Sequence, residues 1–316
     1  LAIRHGFTKL WAITHADNLA MREVFATSGF TIEEHLEGGD MEVKLSLTPT
    51  DQSVRQSEWR ERVATTASLR PLFHPRTVAV VGASRSPQSI GYRILDALQS
   101  NGFRGHCYAV NPHASKIADV KAFPSLRALP EPADLVVIAV PKEAVLSVVD
   151  DCAATGVRAL VVITAGFAEV GEEGRRLQAQ LLEKVRQHGM RMVGPNCFGI
   201  LNTDPAVRLN ATFTSTFPLA GSIAMSSQSG ALGLALLAAS GRLHLGLSTF
   251  VSVGNKADVS VNDLLQYWES DCATTVILLY VESFGNPRRF AHIARRVSRN
   301  KPIVALKAGR TASGKR

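Results

Sequence analysis

Apolar residues along this chain fall into two spacings that alternate over most of its length. Strand-length apolar runs occur at 77–81, 106–110, 134–140, 159–163 and 191–193, and segments of helical period lie at 90–99, 143–154 and 172–187. Continuous apolar strands separated by helices predict a parallel sheet covered on both faces. A second cycle follows a stretch containing Gly, Pro and Asn at 194–218, with strands at 222–226, 247–251, 275–281 and 303–306 and helices at 231–240, 261–269 and 287–299. The pattern predicts two doubly wound α/β domains in tandem. Residues 1–47 read differently, as strand 9–13, helix 18–28, strand 30–35 and strand 41–47. The polar stretch 48–70 lacks an apolar period and predicts a linker with some helix. The divisions expected are 1–47, linker 48–70, 71–197, connection 198–217 and 218–316.

A length of 316 residues suits two such domains, and no apolar run reaches the roughly 18 residues of a membrane span. The first residue is Leu1, so the expectation is that the natural N-terminus lies upstream. Cys107, Cys152, Cys197 and Cys272 are far apart and show no CxxC spacing, which argues against a disulfide framework or zinc site and fits a reducing cytoplasm. The net charge of +8 is local: ten Lys and Arg residues and no acid follow Glu282, and the rest holds 25 basic against 27 acidic residues. That segment suggests a face meeting phosphate or a partner. Without interleaved aromatics it does not predict nucleic-acid binding.

Two loops carry candidate chemistry. In the first, Gly82 follows a strand and Gly91 lies at a helix start, where free amides favour a phosphate. A dinucleotide fingerprint would need glycines where Ser84 and Pro87 stand, and the next strand ends at Asn111 and Pro112 with no acid for a ribose. NAD is therefore set aside, while a tight turn without ligand stays open. In the second loop, Ser226 to Gly230 offers three hydroxyls and helix-start amides to a dianion; simple N-capping by serine explains it equally well.

The motifs VAVVGASRSPQSIGYRIL (78–95), YAVNPH (108–113), DLVVIAVPKEAV (134–145), VVITAGFAEVGEEG (161–174) and RMVGPNCFGILNT (191–203) resemble the coenzyme A-binding domain of NDP-forming acyl-CoA synthetases. SSQSGALG (226–233), FVSVGNKADVSVNDLLQYW (250–268), VILLYVES (276–283) and KPIVALKAGRTASGKR (301–316) resemble the ligase domain that follows, akin to the alpha subunit of succinyl-CoA synthetase. The fold implied is a Rossmann-like CoA-binding domain followed by a flavodoxin-like domain. The resemblance implies that Gly82, Ala83, Ser84, Arg85, Ser89 and Ile90 hold the nucleotide end of CoA and that Asn111 and Pro112 lie beside its adenosine. Where the family often has lysine next, this chain has His113, with Lys116 nearby. Val140 and Pro141, and Thr164, Ala165 and Gly166, are implied to line the pantetheine cleft. Ser227, Gln228, Ser229 and Gly230 are implied to receive the phosphate of a phosphohistidine that Glu282 orients; a plain surface glutamate is the alternative for Glu282. Gly194, Pro195 and Asn196 match the turn between the domains, and Cys197 reads as a packed thiol.

The chemistry implied runs from acyl phosphate through a phosphohistidine, with the acyl group passing to the CoA thiolate. Its cofactors are CoA or acetyl-CoA, and ATP/ADP with Mg through an ATP-grasp domain or subunit; its substrates are a carboxylic acid or acyl phosphate. A homo-oligomer is expected. The family histidine lies a few residues beyond 301–316, so this stretch alone is expected to bind CoA without completing the cycle. TKLWAITHADNLAMREVFATSGFTIEEHL (8–36) resembles the later half of a GNAT acetyltransferase domain, with Asn18 and Met21 matching an Asn-x-x-Met helix and Gly29-Phe30 its turn. That partial α/β segment leaves a second class open: a protein lysine acetyltransferase whose synthetase-like region senses CoA or acyl-CoA without catalysis.

Overall fold

The computed structural model describes residues 2–308, apart from the side chains of Ile3 and Arg4. The chain divides into two units, Leu1–Thr65 and Thr66–Arg316. In the first, β1 (Lys9–His15), α1 (Leu19–Ala26), β2 (Thr31–Glu37) and β3 (Asp40–Ser46) build an antiparallel sheet with β3 in the middle. Alternation along β3 buries Met41, Val43 and Leu45, with Phe25, Phe30 and Ile32 against them. This is a small core, and Phe7, Trp11 and Ile13 remain more than half exposed.

The stretch read as a linker with some helix lies almost wholly in one longer helix, α2 (Asp51–Phe73), which begins in the first unit and ends in the second. Most of it is polar, which hid its period. Only its last turns carry the buried Leu69, Leu72 and Phe73, and these fix it to the core of the second unit.

The second unit contains two sheets. The first is built from β4 (Thr77–Val81), α3 (Ile90–Ser100), β5 (His106–Val110), β6 (Lys116–Ile117), β7 (Val120–Phe123), β8 (Leu135–Ile138), α4 (Lys142–Ala154), β9 (Ala159–Val162), α5 (Glu172–Gln187) and β10 (Arg191–Val193). Its order is β10-β9-β8-β4-β5-β7-β6, parallel except for β6 at the edge. Strands β4, β8 and β9 are buried throughout, as a sheet with helices on both faces requires.

The second sheet comprises β11 (Gly199–Asn202), β12 (Leu209–Thr212), β13 (Ala220–Ser227), α6 (Gly230–Arg242), β14 (Leu247–Ser252), α7 (Val261–Ser270), β15 (Val276–Val281), α8 (Pro287–Val297) and β16 (Ile303–Lys307), in the order β12-β11-β14-β13-β15-β16. β13 to β16 are parallel, as the pattern predicted. The stretch read as a connection holds β11 and β12, which add antiparallel to the edge of this sheet. Both are four residues long and wholly buried, and Asn202, Asn210 and Thr212 interrupt their apolar character. Asn202 Nδ2 donates to Phe73 O at 2.9 Å, and Asn210 Nδ2 to Asn101 Oδ1 at 2.6 Å. Burial here is satisfied by hydrogen bonds that no period reveals.

The two sheets meet through Arg191. Its guanidinium donates to Asp258 Oδ2 at 2.9 Å, Asp263 Oδ1 at 3.2 Å and Ser68 Oγ at 2.7 Å. Burial opposes the charge, yet the two carboxylates hold the Arg191 pKa above its ordinary value. Removing only the cation would leave two partly buried carboxylates facing one another. Arg191→Met should therefore cost about 3–5 kcal/mol, seen as a lower urea midpoint; Arg191→Met with Asp258→Asn and Asp263→Asn should recover part of it. A single variant as stable as the parent would show the cluster to be dispensable.

Amide exchange should separate the units. β1 to β3 rest on a small core and should exchange faster than β4 and β8, which are buried on both faces. Equal protection by mass spectrometry would contradict that order.

Candidate functional site

Where strand order reverses in a doubly wound sheet, the loops leaving the two neighbouring strands diverge and open a crevice at their C-terminal ends. The reversal lies between β4 and β8 in the first sheet and between β13 and β15 in the second. The residues singled out by motif gather at these two places.

At the first crevice the chain leaves β4 at Gly82 with φ +91°, and a Cβ there would stand 2.4 Å from Ala139 O. A Cβ on Gly91 would stand 2.6 Å from Gly82 O, so the first turn of α3 packs directly on the loop. These approaches, which only glycine allows, bring the start of α3 directly against the loop that leaves β4. Ser89 caps the helix, accepting from Tyr92 N at 3.3 Å. Ser84 Oγ donates to Ser89 Oγ at 2.9 Å and accepts from Ser86 N at 3.2 Å. Asn111 Nδ2 donates to Ala83 O at 2.7 Å, which ties the end of β5 to this loop. The exposed Arg85 reaches the same turn, Nη2 donating to His113 O at 2.7 Å. Ile90 and Pro112 are exposed on its rim.

Across the crevice, Thr164 Oγ1 donates to Val140 O at 2.7 Å and joins the ends of β9 and β8. Pro141, before α4, and Ala165 are exposed. Gly166 has φ +100°, and a Cβ there would meet Lys142 Cδ at 2.7 Å. Glu169 Oε1 accepts from Gly166 N and from Phe167 N, the latter at 3.1 Å. Partial burial opposes the Glu169 charge, but the Asn255 amide and these backbone amides outweigh it and lower the pKa. Cys197 is fully inside; burial pushes its thiol up to about 12, and Sγ donates to Val162 O at 3.2 Å. A thiol held protonated in this way is a packing group, as expected.

At the second crevice β13 ends in the buried Ser226 and Ser227, and Ser229 caps α6 by accepting from Leu232 N at 3.4 Å. Ser227 Oγ donates to Ser229 O at 2.6 Å. Gln228 crosses to the neighbouring strand: its N donates to Tyr280 O at 3.0 Å, and its Oε1 accepts from Glu282 N at 2.9 Å and Ser283 N at 3.2 Å. Gln228 thus holds the loop of Ser227, Ser229 and Gly230 against the segment carrying Glu282, which is half-buried.

Sequence reasoning passed over the residues that stand between these crevices. The loop after β14 carries Gly254, Asn255 and Lys256. Asn255 Nδ2 donates to Glu169 Oε2 at 2.5 Å and Gln178 Oε1 at 2.9 Å, and its Oδ1 accepts from Asn196 Nδ2 at 3.2 Å. Lys256 turns the other way, Nζ donating to Ser283 O and to Ser283 Oγ at 2.6 Å. Burial lowers the Lys256 pKa, and Glu282 partly offsets it. The signal was available: a Gly-Asn-Lys run directly after a buried parallel strand is loop chemistry at a strand end.

Comparison with known proteins agrees with this geometry. Residues 76–203 match the family model of a CoA binding domain, and residues 220–316 that of a succinyl-CoA ligase like flavodoxin domain. The subunit alpha of acetate–CoA ligase [ADP-forming] I of Pyrococcus furiosus is 44% identical over 251 residues, covering 78% of this chain and 54% of the subunit. Acetate–CoA ligase [ADP-forming] I of Archaeoglobus fulgidus is 42% identical over 246 residues, covering 78% and 35%. Among solved structures, acetyl-coenzyme A synthetase 1 of Candidatus Korarchaeum cryptofilum, a dinucleotide-forming enzyme in complex with phosphate and ADP, superposes with a TM-score of 0.74 at 46% identity, covering 78% and 53%. The chain spans about half the length of the first and third of these relatives and about a third of the second. It therefore joins a CoA-binding domain to a succinyl-CoA ligase-like flavodoxin domain, and its homologues are ADP-forming acetate–CoA ligases.

Proposed function

We propose that this chain supplies the CoA-binding and phosphoryl-handling portion of an ADP-forming acyl-CoA synthetase that acts on acetate or a related acid. The observation that carries the reading is the pair of strand-end crevices in one unit, each furnished by the motifs of the matching family. The donor set fits CoA: helix-start amides, the hydroxyls of Ser84 and Ser89 and the Arg85 guanidinium suit phosphates, while the backbone at Val140 and Pro141 and at Thr164 to Gly166 borders a cleft for pantetheine. Arg85 brings a cation to the turn at His113, which supports phosphate binding there despite the absent lysine. CoA brings the thiol that accepts the acyl group. The α6 amides, with Ser227, Gln228, Ser229 and Gly230, hold the phosphoryl group, and Glu282 orients a histidine that carries it. ATP or ADP with Mg would be handled by an ATP-grasp subunit or domain. A cytoplasmic homo-oligomer is the setting that completes this reading; no helix among the described residues is long and apolar enough to cross a membrane.

A second reading assigns residues 1–47 to the later half of a GNAT acetyltransferase, with the synthetase-like region as a CoA or acyl-CoA sensor for acetylation of protein lysines. What favours it is the helix start at Asn18, whose Oδ1 accepts from Met21 N at 3.1 Å, and Gly29 at φ +80° in the following turn. It needs lysine acetylation by the full-length protein, and a deletion of residues 1–47 that keeps ligase activity while losing acetylation would separate the two.

Titration calorimetry tests the first crevice. The chain should bind CoA, and Gly82→Val should abolish binding because the new side chain meets Ala139 O and Val140. The exposed Arg85→Ala leaves the fold intact and should weaken CoA roughly ten- to a hundredfold through loss of a charge-assisted contact. NAD binding as tight as CoA would overturn the assignment.

For the second crevice the readout is acid-labile phosphohistidine in the full-length enzyme. Glu282→Gln should reduce labelling by acyl phosphate, since the imidazole loses the charged partner that fixes its tautomer. Ser229→Ala should have a smaller effect because the helix amides remain. Unchanged labelling in the Glu282 variant would leave that carboxylate a structural role only.

A further inference from the structure

Lys256 lies within the 250–268 motif, but the resemblance gave it no role, and its backbone is not one that packing favours. It stands in the left-handed region at φ +46°, a conformation that is unfavourable for a residue with a Cβ. It follows Gly254, where a Cβ would stand 2.3 Å from Asn196 O, and Asn255, which is committed to Glu169 and Gln178. The backbone is thus pinned on one side, and the lysine side chain is sent to the other.

An ammonium carries three N–H donors. Two of the Lys256 donors go to Ser283, to its carbonyl and its hydroxyl. The third reaches only Gln228 Oε1, at 3.5 Å, an acceptor that already receives Glu282 N and Ser283 N at shorter range. One donor and the full charge therefore remain underused beside the Ser227–Gly230 loop, in a half-buried setting where a charge acts more strongly than at the surface. Glu282, at the end of β15, is the charged group that acts on Lys256; Glu169 lies against the adjoining Asn255.

We infer that Lys256 is a phosphoryl-binding residue of this crevice, held to Ser283 by two of its N–H groups while giving the third and its charge to the phosphoryl group that the α6 amides receive. The assignment rests on the phosphoryl-transfer reading above. It adds the cation that reading lacked, because Ser227, Gln228, Ser229 and Glu282 bring no positive side chain to a dianion.

Burial lowers the Lys256 pKa below the 10.5 of a free lysine, so the ammonium is lost earlier than usual as pH rises. Inorganic phosphate is already mostly the dianion by about pH 8, and its dianion fraction only grows as pH rises further. A fall in affinity between about pH 8 and 10.5 then reports the lysine and not the ligand.

The test is binding of inorganic phosphate to this chain, followed by phosphorus NMR and calorimetry from pH 7 to 10.5. The parent should bind phosphate and lose affinity as pH rises through the depressed lysine pKa. Lys256→Met should weaken binding at pH 7.5 roughly ten- to a hundredfold and abolish the alkaline fall. Lys256→Arg should retain most of the affinity and carry it to higher pH, since guanidinium does not titrate there. Parent binding that Lys256→Met retains with an unchanged pH profile overturns the role of Lys256 alone. No phosphate binding by the parent overturns the phosphoryl-site reading and this assignment with it. If Lys256→Met does not fold, the parent's own profile decides: a flat affinity from pH 8 to 10.5 overturns the assignment.

Discussion

Arg191 is enclosed by Asp258, Asp263 and a serine from α2, and the two acids belong to the loop and helix start that open α7. A guanidinium in so little water needs carboxylates in place, so the last strand of the first sheet and the loop after β14 are drawn together. Backbone bonds then continue the contact: Val259 N to Met192 O at 3.0 Å, Ala257 N to Gly194 O at 3.1 Å and Asn255 N to Pro195 O at 2.9 Å. Ion pairs alone would tolerate sliding; the ladder of amides sets one register, and Gly254 allows the backbones to come this close.

That register determines what the loop after β14 can do. With 255, 257 and 259 giving their amides to the first sheet's segment, Asn255 is held among Glu169, Gln178 and Asn196, and Lys256 lies on the side of Gln228 and Ser283. Neighbouring residues thus bear on the two crevices through a backbone that cannot easily rotate. The Gly166–Glu169 turn and the Ser227–Gly230 loop are thus contacted by two adjacent side chains of one loop.

The doubly wound architecture was legible because strands buried on both faces leave unbroken apolar runs, as at Thr77–Val81 and Ala159–Val162. The turns at Gly82 and Ser229 were legible because turn residues mark where a strand gives way to a helix, whereas Ser89 and Glu282 were reached only through the family resemblance. β11 and β12 were not, since four residues with asparagine and threonine among them show no period, and their burial is made tolerable by partners far away in sequence. α2 was obscured by the polar turns that precede Leu69. Lys256 escaped because its meaning comes from Ser283 and Gln228, neither of which is near it in the chain.

Part of the basic C-terminal segment is spent on packing within the second unit. The basic segment after Glu282 suggested a face meeting phosphate or a partner; within it, Arg296 forms a paired contact with Glu269 at 2.9–3.2 Å. Lys301 Nζ donates to Trp268 O and Asp271 O, both at 2.6 Å, where the carbonyls at the end of α7 attract a cation. These charges hold α8 and β16 to α7. Arg310, Lys315 and Arg316 lie outside the described residues. A cation that serves chemistry at the second crevice must come from a strand end facing it, and the loop after β14 places Lys256 there; proximity in the fold, and not density of charge along the chain, decides which basic residue meets the anion.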